Sequence, residues 1–135
     1  MIKSAKMGKE IAVTAANKAG ILADISKLLT EHGINIQAVA GYAAGSDAKI
    51  MLVTEDNLRA IDALKKAGYK SIKENEVVVV ELENKPGALK NITAKIASEG
   101  VDIKQVYGTA CAAGCPALII FSTSDNAKAL VSLKK

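Results

Sequence analysis

The sequence contains the same stretch twice. Residues 17–39 align without gaps with residues 84–106, 67 positions later, and eight of the 23 aligned positions are identical. The identical residues are Asn, Lys, Gly, Leu, Ile, Gly, Ile and Val, in that order in both copies. Such a repeat is typical of a duplicated supersecondary unit. It predicts two copies of one small domain, residues 1–74 and residues 75–135.

The composition limits what the two copies can do. Units of roughly 67 residues are near the lower limit for an independent core, so we expect them to pack on each other or on a second chain. The chain has no Trp, one Phe and a net charge of +4, and its lysines form no basic face, which argues against nucleic-acid binding. No signal-peptide pattern or membrane-length apolar run is present, so we expect a cytoplasmic protein without membrane contact.

Periodicity predicts the same element order in both copies. In the first copy, residues 9–16 alternate as a strand, and helical spacing follows Gly20. Two strands, a helix capped by residues 54–56 and a strand at residues 69–74 complete this copy. The order β-α-β-β-α-β is that of ferredoxin-like α+β folds, with an antiparallel sheet and both helices on one face. The second copy predicts a strand at residues 77–83, a helix at 88–99, strands at 101–110 and 117–123, and a helix from about 125.

The second copy lacks a closing strand in this prediction. After Asp125 only ten residues remain, and Leu130 and Val131 continue a helical spacing. In the usual 4-1-3-2 strand order, the missing strand would cover the valine-rich strand at residues 77–83. Because an uncovered edge invites pairing, we expect residues 1–7 or a partner chain to cover it. A truncated chain or a short bulged edge is the alternative.

Both copies place Asn-Lys-x-Gly between the first strand and the first helix. Gly20 and Gly87 permit a tight turn and the close approach of a ligand. The first N–H groups of each helix lack intrahelical acceptors and carry the positive end of the helix dipole, which suits a carboxylate. Asn17 and Asn84 each add a donor and an acceptor, which matches a free amino acid. The alternative is that each Asn only caps its helix and each Gly only makes the turn.

Residues 83–89 (ENKPGAL) followed by residues 99–103 (EGVDI) resemble the signature of the ACT domain. The resemblance extends in two copies from about residue 9 to the end of the chain. It implies a module that regulates enzymes of amino-acid metabolism and also occurs as stand-alone tandem proteins. It further implies that such domains pair side by side through their sheets and bind an amino acid at the pairing interface.

The resemblance places the ligand against the first turn and the start of the next strand. In the serine-binding pattern of phosphoglycerate dehydrogenase-type ACT domains, one Asn corresponds to Asn17 and Asn84. A second Asn corresponds to Asn35, and Asp102 takes that position in the other copy. The histidine of the pattern is missing from both copies. The candidate ligand-binding residues are Asn17, Gly20, Ile21, Leu22, Asn35, Asn84, Pro86, Gly87, Ala88, Leu89 and Asp102.

The remaining motifs give the alternatives. Cys111 and Cys115 do not have thioredoxin or zinc-ribbon spacing, so we expect two reduced residues of a turn, with a reversible disulfide as the alternative. Tyr42 and Tyr107 are expected to flank the pocket or to pack in the core. No motif predicts catalysis, a cofactor or a metal.

The favoured function is an amino-acid sensor that forms a homodimer and acts on a separate enzyme or regulator. The alternatives are a dimerisation module without ligand and a metal or redox carrier that uses the two cysteines.

Overall fold

The computed structural model describes residues 1–110 and 114–134. They form six strands and four helices. The strands predicted at residues 69–74 and 77–83 form one continuous strand, and the other elements follow the predicted order. The elements are β1 Ile2–Ala16, α1 Ile21–Glu31, β2 Ile36–Ala44, β3 Asp47–Thr54, α2 Asn57–Lys66, β4 Ser71–Leu82, α3 Ala88–Ser98, β5 Ile103–Thr109, β6 Ala117–Thr123 and α4 Asn126–Leu133. The predicted class, α+β with antiparallel strands, is confirmed. None of these helices has the length and apolar character needed to cross a membrane.

Residues Lys9–Asn75 form one compact unit. Its strand order is β2-β3-β1-β4, and β3 runs antiparallel to both β1 and β2. Helix α1 buries Ile21, Ile25 and Leu29, which are four residues apart and therefore lie on one face. The core also contains Ile11, Val13, Ile50, Leu52 and Leu64. This unit has the complete strand order that was predicted for the first copy.

Residues Met1–Gly8 and Glu76–Lys135 form the other compact unit. Its strand order is β1-β4-β6-β5, and β6 runs antiparallel to both β4 and β5. Helix α3 buries Ala88, Ile92 and Ile96, again at four-residue spacing. The core also contains Val78, Val80, Leu82, Phe121 and Leu133. Among the described residues no strand follows α4, as the sequence predicts.

The first residues of β1 occupy the place of the missing closing strand. Ile2, Ala5 and Met7 pack against the core of this unit, and the Glu83 N–H donates to the Met1 carbonyl at 2.8 Å. Strand β1 is therefore longer than the predicted strand at residues 9–16, and the expectation that residues 1–7 cover the edge of β4 is confirmed. The boundaries of the compact units are not those of residues 1–74 and 75–135, because Met1–Gly8 packs with the second copy.

A hydrogen-bonded cluster joins the end of β3 to the start of α2. The Asn57 Oδ1 accepts from the Thr54 N–H at 3.2 Å and from the Thr54 hydroxyl at 2.7 Å. The Asn57 Nδ2 donates to the carbonyl of Lys9 in β1 at 3.0 Å. Asp56 caps α2 by accepting from the Arg59 N–H at 3.1 Å, as predicted. We call this cluster the Thr-Asp-Asn clip.

The second unit repeats the Thr-Asp-Asn clip with Thr123, Asp125 and Asn126. The Asn126 Oδ1 accepts from the Thr123 N–H at 2.9 Å and from its hydroxyl at 2.7 Å, and the Asn126 Nδ2 donates to the Glu76 carbonyl at 2.9 Å. Asp125 caps α4 by accepting from the Lys128 N–H at 3.0 Å. The repeat of Thr-x-Asp-Asn was not predicted, because its period is 69 residues (57 to 126) rather than 67.

Candidate functional site

Gly20 ends the first turn and begins α1. It is the N-cap of the helix with a φ of 86°, in the left-handed region that favours glycine, and no side chain caps the helix. Asn17 is therefore not a helix cap. Its backbone N–H donates to the Ser46 carbonyl at 2.8 Å, which ties the turn to the hairpin between β2 and β3. The Ile21 N–H donates to the Lys18 carbonyl at 3.3 Å and the Asp24 N–H to the Gly20 carbonyl at 2.9 Å. Because no side chain caps α1, the N–H groups of Leu22 and Ala23 are the ones that can serve a ligand.

A cavity of about 270 Å³ lies beside this turn. Asn17, Ile21 and Leu22 contribute to its wall from the turn and the first residues of α1. The remaining lining comes from β2 and β3 and consists of Val39, Ala40, Gly41, Tyr42, Ala48 and Ile50. Of these nine residues, Asn17 and Tyr42 are the ones with polar side chains, and none carries a charge. The structure thus places three of the five first-copy candidates in one apolar cavity.

Asn35 does not belong to the lining of that cavity. Its backbone N–H donates to the Glu55 Oε1 at 3.1 Å, and its carbonyl accepts from the Glu55 N–H at 3.3 Å. Asp102 makes the equivalent contacts, since its N–H donates to the Ser124 Oγ at 2.9 Å and its carbonyl accepts from the Ser124 N–H at 2.8 Å. Both backbones therefore fix the start of their unit's second strand to the loop after its third.

The second turn has the same backbone but different surroundings. Gly87 is a left-handed N-cap with a φ of 88° and no capping side chain, and it follows Pro86. Ala88 is buried and Leu89 is half exposed. Asn84 lines a separate cleft of about 350 Å³ together with Lys3, Glu83, Lys85, Gly114 and Cys115. The first turn borders apolar side chains, whereas the second borders mainly polar and charged ones.

Glu83 is the charged centre of the second turn. Its Oε2 lies 3.0 Å from the Lys85 Nζ, and its Oε1 lies 3.5 Å from the Met1 amino group. The hydrogen bond and charge of Lys85, followed by the charge of the amino group, lower the pKa of Glu83 below 4.5. In the first turn, Lys18 instead pairs with Asp24 on α1 at 3.3 Å.

Each unit exposes two aliphatic side chains at equivalent positions. In the first unit, 47% of Leu22 and 48% of Val39 is exposed, and in the second, 50% of Leu89 and 51% of Val106. We call Leu22 with Val39, and Leu89 with Val106, the exposed apolar pairs. The two valines lie on β2 and β5, which are outer strands of their units. The same leucine and the same valine occur in both copies of the repeat, and this sequence signal was not used to predict the site.

The strand side of the cavity was also missed, because Ala40, Ala48 and Ile50 carry no chemical signal in sequence. Strand register relates them to the other unit: Gly41 pairs with Ile50 as Gly108 pairs with Ile119. Ala40 and Tyr107 therefore occupy equivalent positions. Tyr42, which was expected to flank the pocket or to pack in the core, lines the cavity and is 55% exposed.

The cysteine pair is only partly described. Cys115 is disulfide-bonded, which corrects the expectation of two reduced thiols, while Cys111 lies outside the described residues. The expectation assumed a cytosolic protein, in which disulfides are rare. Within residues 1–110 and 114–134, no group of three or more His, Cys, Asp or Glu side chains is arranged to hold a metal.

Comparison with protein families matches residues 7–135 to a family described as an ACT domain pair. A comparison with curated protein sequences gives no match. The family match covers both compact units apart from the first six residues.

Solved structures share this fold over nearly the whole chain. Protein BT0572 from Bacteroides thetaiotaomicron is 25% identical with a TM-score of 0.88, and the match covers 96% of this chain and 88% of that one. The ligand-free regulatory subunit of aspartate kinase from Thermus thermophilus is 16% identical with a TM-score of 0.68, covering 98% and 96%. The regulatory subunit from Thermus flavus is 16% identical with a TM-score of 0.63, again covering 98% and 96%. These two subunits are regulatory parts of an enzyme, and at such identity the likeness shows a shared fold.

Proposed function

The chain belongs to the family of ACT domain pairs, and from this we propose that it is a regulatory protein that binds a free amino acid and has no catalytic activity of its own. The observation that carries the proposal is the cavity beside the first turn, where Asn17 and the uncapped start of α1 meet an apolar wall. The regulatory subunits with the same fold support a role in control rather than in chemistry.

The two ends of an amino acid suit the two sides of this cavity. The carboxylate is favoured at the start of α1, where the helix dipole contributes about 0.3–1 kcal/mol at an exposed site. The amide oxygen of Asn17 can accept from the ligand's ammonium group, and the amide nitrogen can donate to its carboxylate. The ligand side chain then points toward Ala48 and Ile50. Gly20 permits this approach because it has no side chain and holds a left-handed conformation.

Pairing of two copies supplies the regulatory mechanism in this proposal. Leu22 and Val39 line the cavity and are half exposed, so a second copy that covers this exposed apolar pair also covers the ligand. A ligand held there favours one pairing geometry over another, and the size of the response is set by its difference in affinity for the two states. The homodimer then passes the signal to a separate enzyme or regulator.

A thermal-shift screen of the twenty amino acids tests this function. A ligand that binds only the folded protein stabilises it by about 2.7 kcal/mol at a hundred times its dissociation constant. We expect at least one amino acid to raise the melting temperature in a concentration-dependent way. The absence of any shift would favour the dimerisation module without ligand, and a shift with a thiophilic metal alone would favour the metal carrier.

Asn17→Ala is the matched test of the site. Asn17 is exposed and its backbone N–H, which holds the turn, is unchanged by the substitution. We therefore expect an unaltered melting temperature without ligand and at least a tenfold loss of affinity for the amino acid found in the screen, measured by calorimetry. Asn84→Ala, at the equivalent position of the second turn, is the control and should keep the affinity. Equal affinity in Asn17→Ala and wild type would contradict the assignment of the site.

A further inference from the structure

We infer that Gly41 is a residue of the ligand site beside the first turn, and that its missing side chain leaves room for the ligand rather than for packing within the protein. This role rests on the proposed function, because it assumes that an amino acid binds at the first turn. It adds to the site a residue of β2 that lies outside the motif of the turn and sets how closely the ligand can approach the sheet.

The register of the sheet directs position 41 toward the cavity. Gly41 on β2 pairs with Ile50 on β3, and residues that pair across two strands have their side chains on the same face of the sheet. Ile50 is buried in the core cluster that also contains Ile21 and Ile25 of α1, so this face is the helix side. Gly41, Ile50 and Ile21 all line the cavity. A side chain at position 41 would therefore project into the cavity.

Packing within the protein does not require glycine at position 41. A Cβ atom there would lie 3.4 Å from the Lys49 carbonyl oxygen and 3.6 Å from the Ile50 Cγ1, which are ordinary van der Waals distances. The φ of Gly41 is not positive, so its backbone conformation does not favour glycine either. Glycine inside a strand also weakens the strand, because it loses more conformational freedom on folding than any other residue. The fold of this unit thus gains nothing from the glycine.

Gly108 holds the equivalent position in the other unit, and there packing does require glycine. It pairs with Ile119 on β6 as Gly41 pairs with Ile50. A Cβ atom on Gly108 would lie 2.7 Å from the Leu118 carbonyl oxygen and 2.5 Å from the Ile119 Cδ1, and the backbone oxygen cannot move away without shifting its strand. Crowding by the backbone therefore explains the glycine of the second unit, whereas at position 41 the cavity is what a side chain would fill.

Gly41→Ala tests this role through two measurements that should change independently. The melting temperature without ligand should equal or exceed that of the wild type, because the added methyl group meets no close neighbour and alanine loses less conformational freedom than glycine. The affinity for the amino acid that gives the largest thermal shift among the twenty should fall at least tenfold in calorimetry, because the methyl group occupies space that the ligand needs. Gly41→Val, with two further methyl groups, should lose more affinity than Gly41→Ala.

Gly108→Ala is the matched control. Its methyl group is forced against the Leu118 carbonyl, so we expect a melting temperature at least about 3 °C below that of the wild type, with the affinity at the first turn unchanged. Light scattering should give Gly41→Ala the oligomeric state of the wild type, and a changed state would assign the glycine to the pairing of two chains instead.

The outcomes separate this role of Gly41 from the proposed function. Wild-type affinity in Gly41→Ala would overturn the role of Gly41 and leave the proposed function intact. A fall in the melting temperature of Gly41→Ala as large as that of Gly108→Ala would also overturn it, because the glycine would then serve packing. If the wild type binds none of the twenty amino acids, the proposed function fails, and the role of Gly41 fails with it.

Discussion

Asn17 and Asn84 stand at the same position of the repeat but border different surfaces. Asn17 lines a cavity whose other residues are apolar or aromatic, whereas Asn84 lines a cleft together with Glu83 and Lys85. The same residue type in the same turn therefore has two different chemical settings. A motif in sequence identifies the turn, and only the neighbours from other strands decide what the turn can bind.

The ion pair between Glu83 and Lys85 leads to a prediction about the pKa of a single residue, Glu83. Because Lys85 lowers the pKa of Glu83 below 4.5, Lys85→Met should raise that pKa toward 4.5, measured by NMR titration of the side-chain carboxyl. The folded-state pKa is depressed, so the stability from this pair is present above pH 4.5 and is lost as the pH falls through the folded value. Lys90→Met, an exposed lysine on α3, is the control and should leave the titration unchanged. An unaltered Glu83 titration in Lys85→Met would contradict the role of Lys85.

At the scale of secondary structure elements, the Thr-Asp-Asn clip fixes each second helix to its sheet. Asn57 accepts two hydrogen bonds from Thr54 and donates one to β1, so its side chain links three elements of one unit. Its counterpart Asn126 links β6, α4 and β4 in the same way. The same set of hydrogen bonds therefore joins the second helix to the sheet in both units.

Asn57→Ala tests the clip. The substitution leaves the partly buried Thr54 N–H and hydroxyl without their acceptor, so we expect a loss of about 1–3 kcal/mol in the free energy of unfolding, measured in urea. Asn57→Asp keeps an acceptor for the Thr54 groups but has no donor for the Lys9 carbonyl, so its loss in the free energy of unfolding should be smaller than that of Asn57→Ala. Equal stability of Asn57→Ala and wild type would show that solvent replaces the clip.

The start of β1 is the second feature at this scale. Met7 packs against the core of the second unit, while Lys6 is exposed on the same strand. Met7→Asp should therefore lower the free energy of unfolding by about 1–3 kcal/mol and promote self-association, because release of this segment uncovers the edge of β4. Light scattering and urea denaturation measure the two effects. Lys6→Asp should change neither, and equal behaviour of the two variants would contradict the covering role of β1.

At the scale of the whole molecule, sequence periodicity was enough to predict the fold. The apolar spacing of Ile21, Ile25 and Leu29, the glycine turns and the repeat itself predicted the elements of both copies, but not that Met1–Gly8 packs with the second copy. Residues 2–8 were not predicted as part of β1, because their pattern has little β-branched character and gains its strand conformation from β4. Local propensity cannot report such a tertiary contact.

The candidate site was predicted only on its helix side. Asn17, Gly20, Ile21 and Leu22 belong to a motif that chemistry makes recognisable, so the sequence pointed to them. Ala40, Ala48 and Ile50 reach the same cavity through strand register, and register depends on pairing partners that a sequence pattern does not specify.

The path of β1 also determines when each unit can fold. Residues Lys9–Asn75 are continuous in the chain, so this unit can close as soon as its own residues are synthesised. The other unit needs Met1–Gly8 together with residues from Glu76 onward, which are separated from it in sequence by the whole of the first unit. Its closure therefore spans a long loop and raises the contact order of the protein, which slows folding. Joining the first eight residues to the end of the chain by circular permutation would make both units local in sequence, and we expect the permuted protein to refold faster than the natural order.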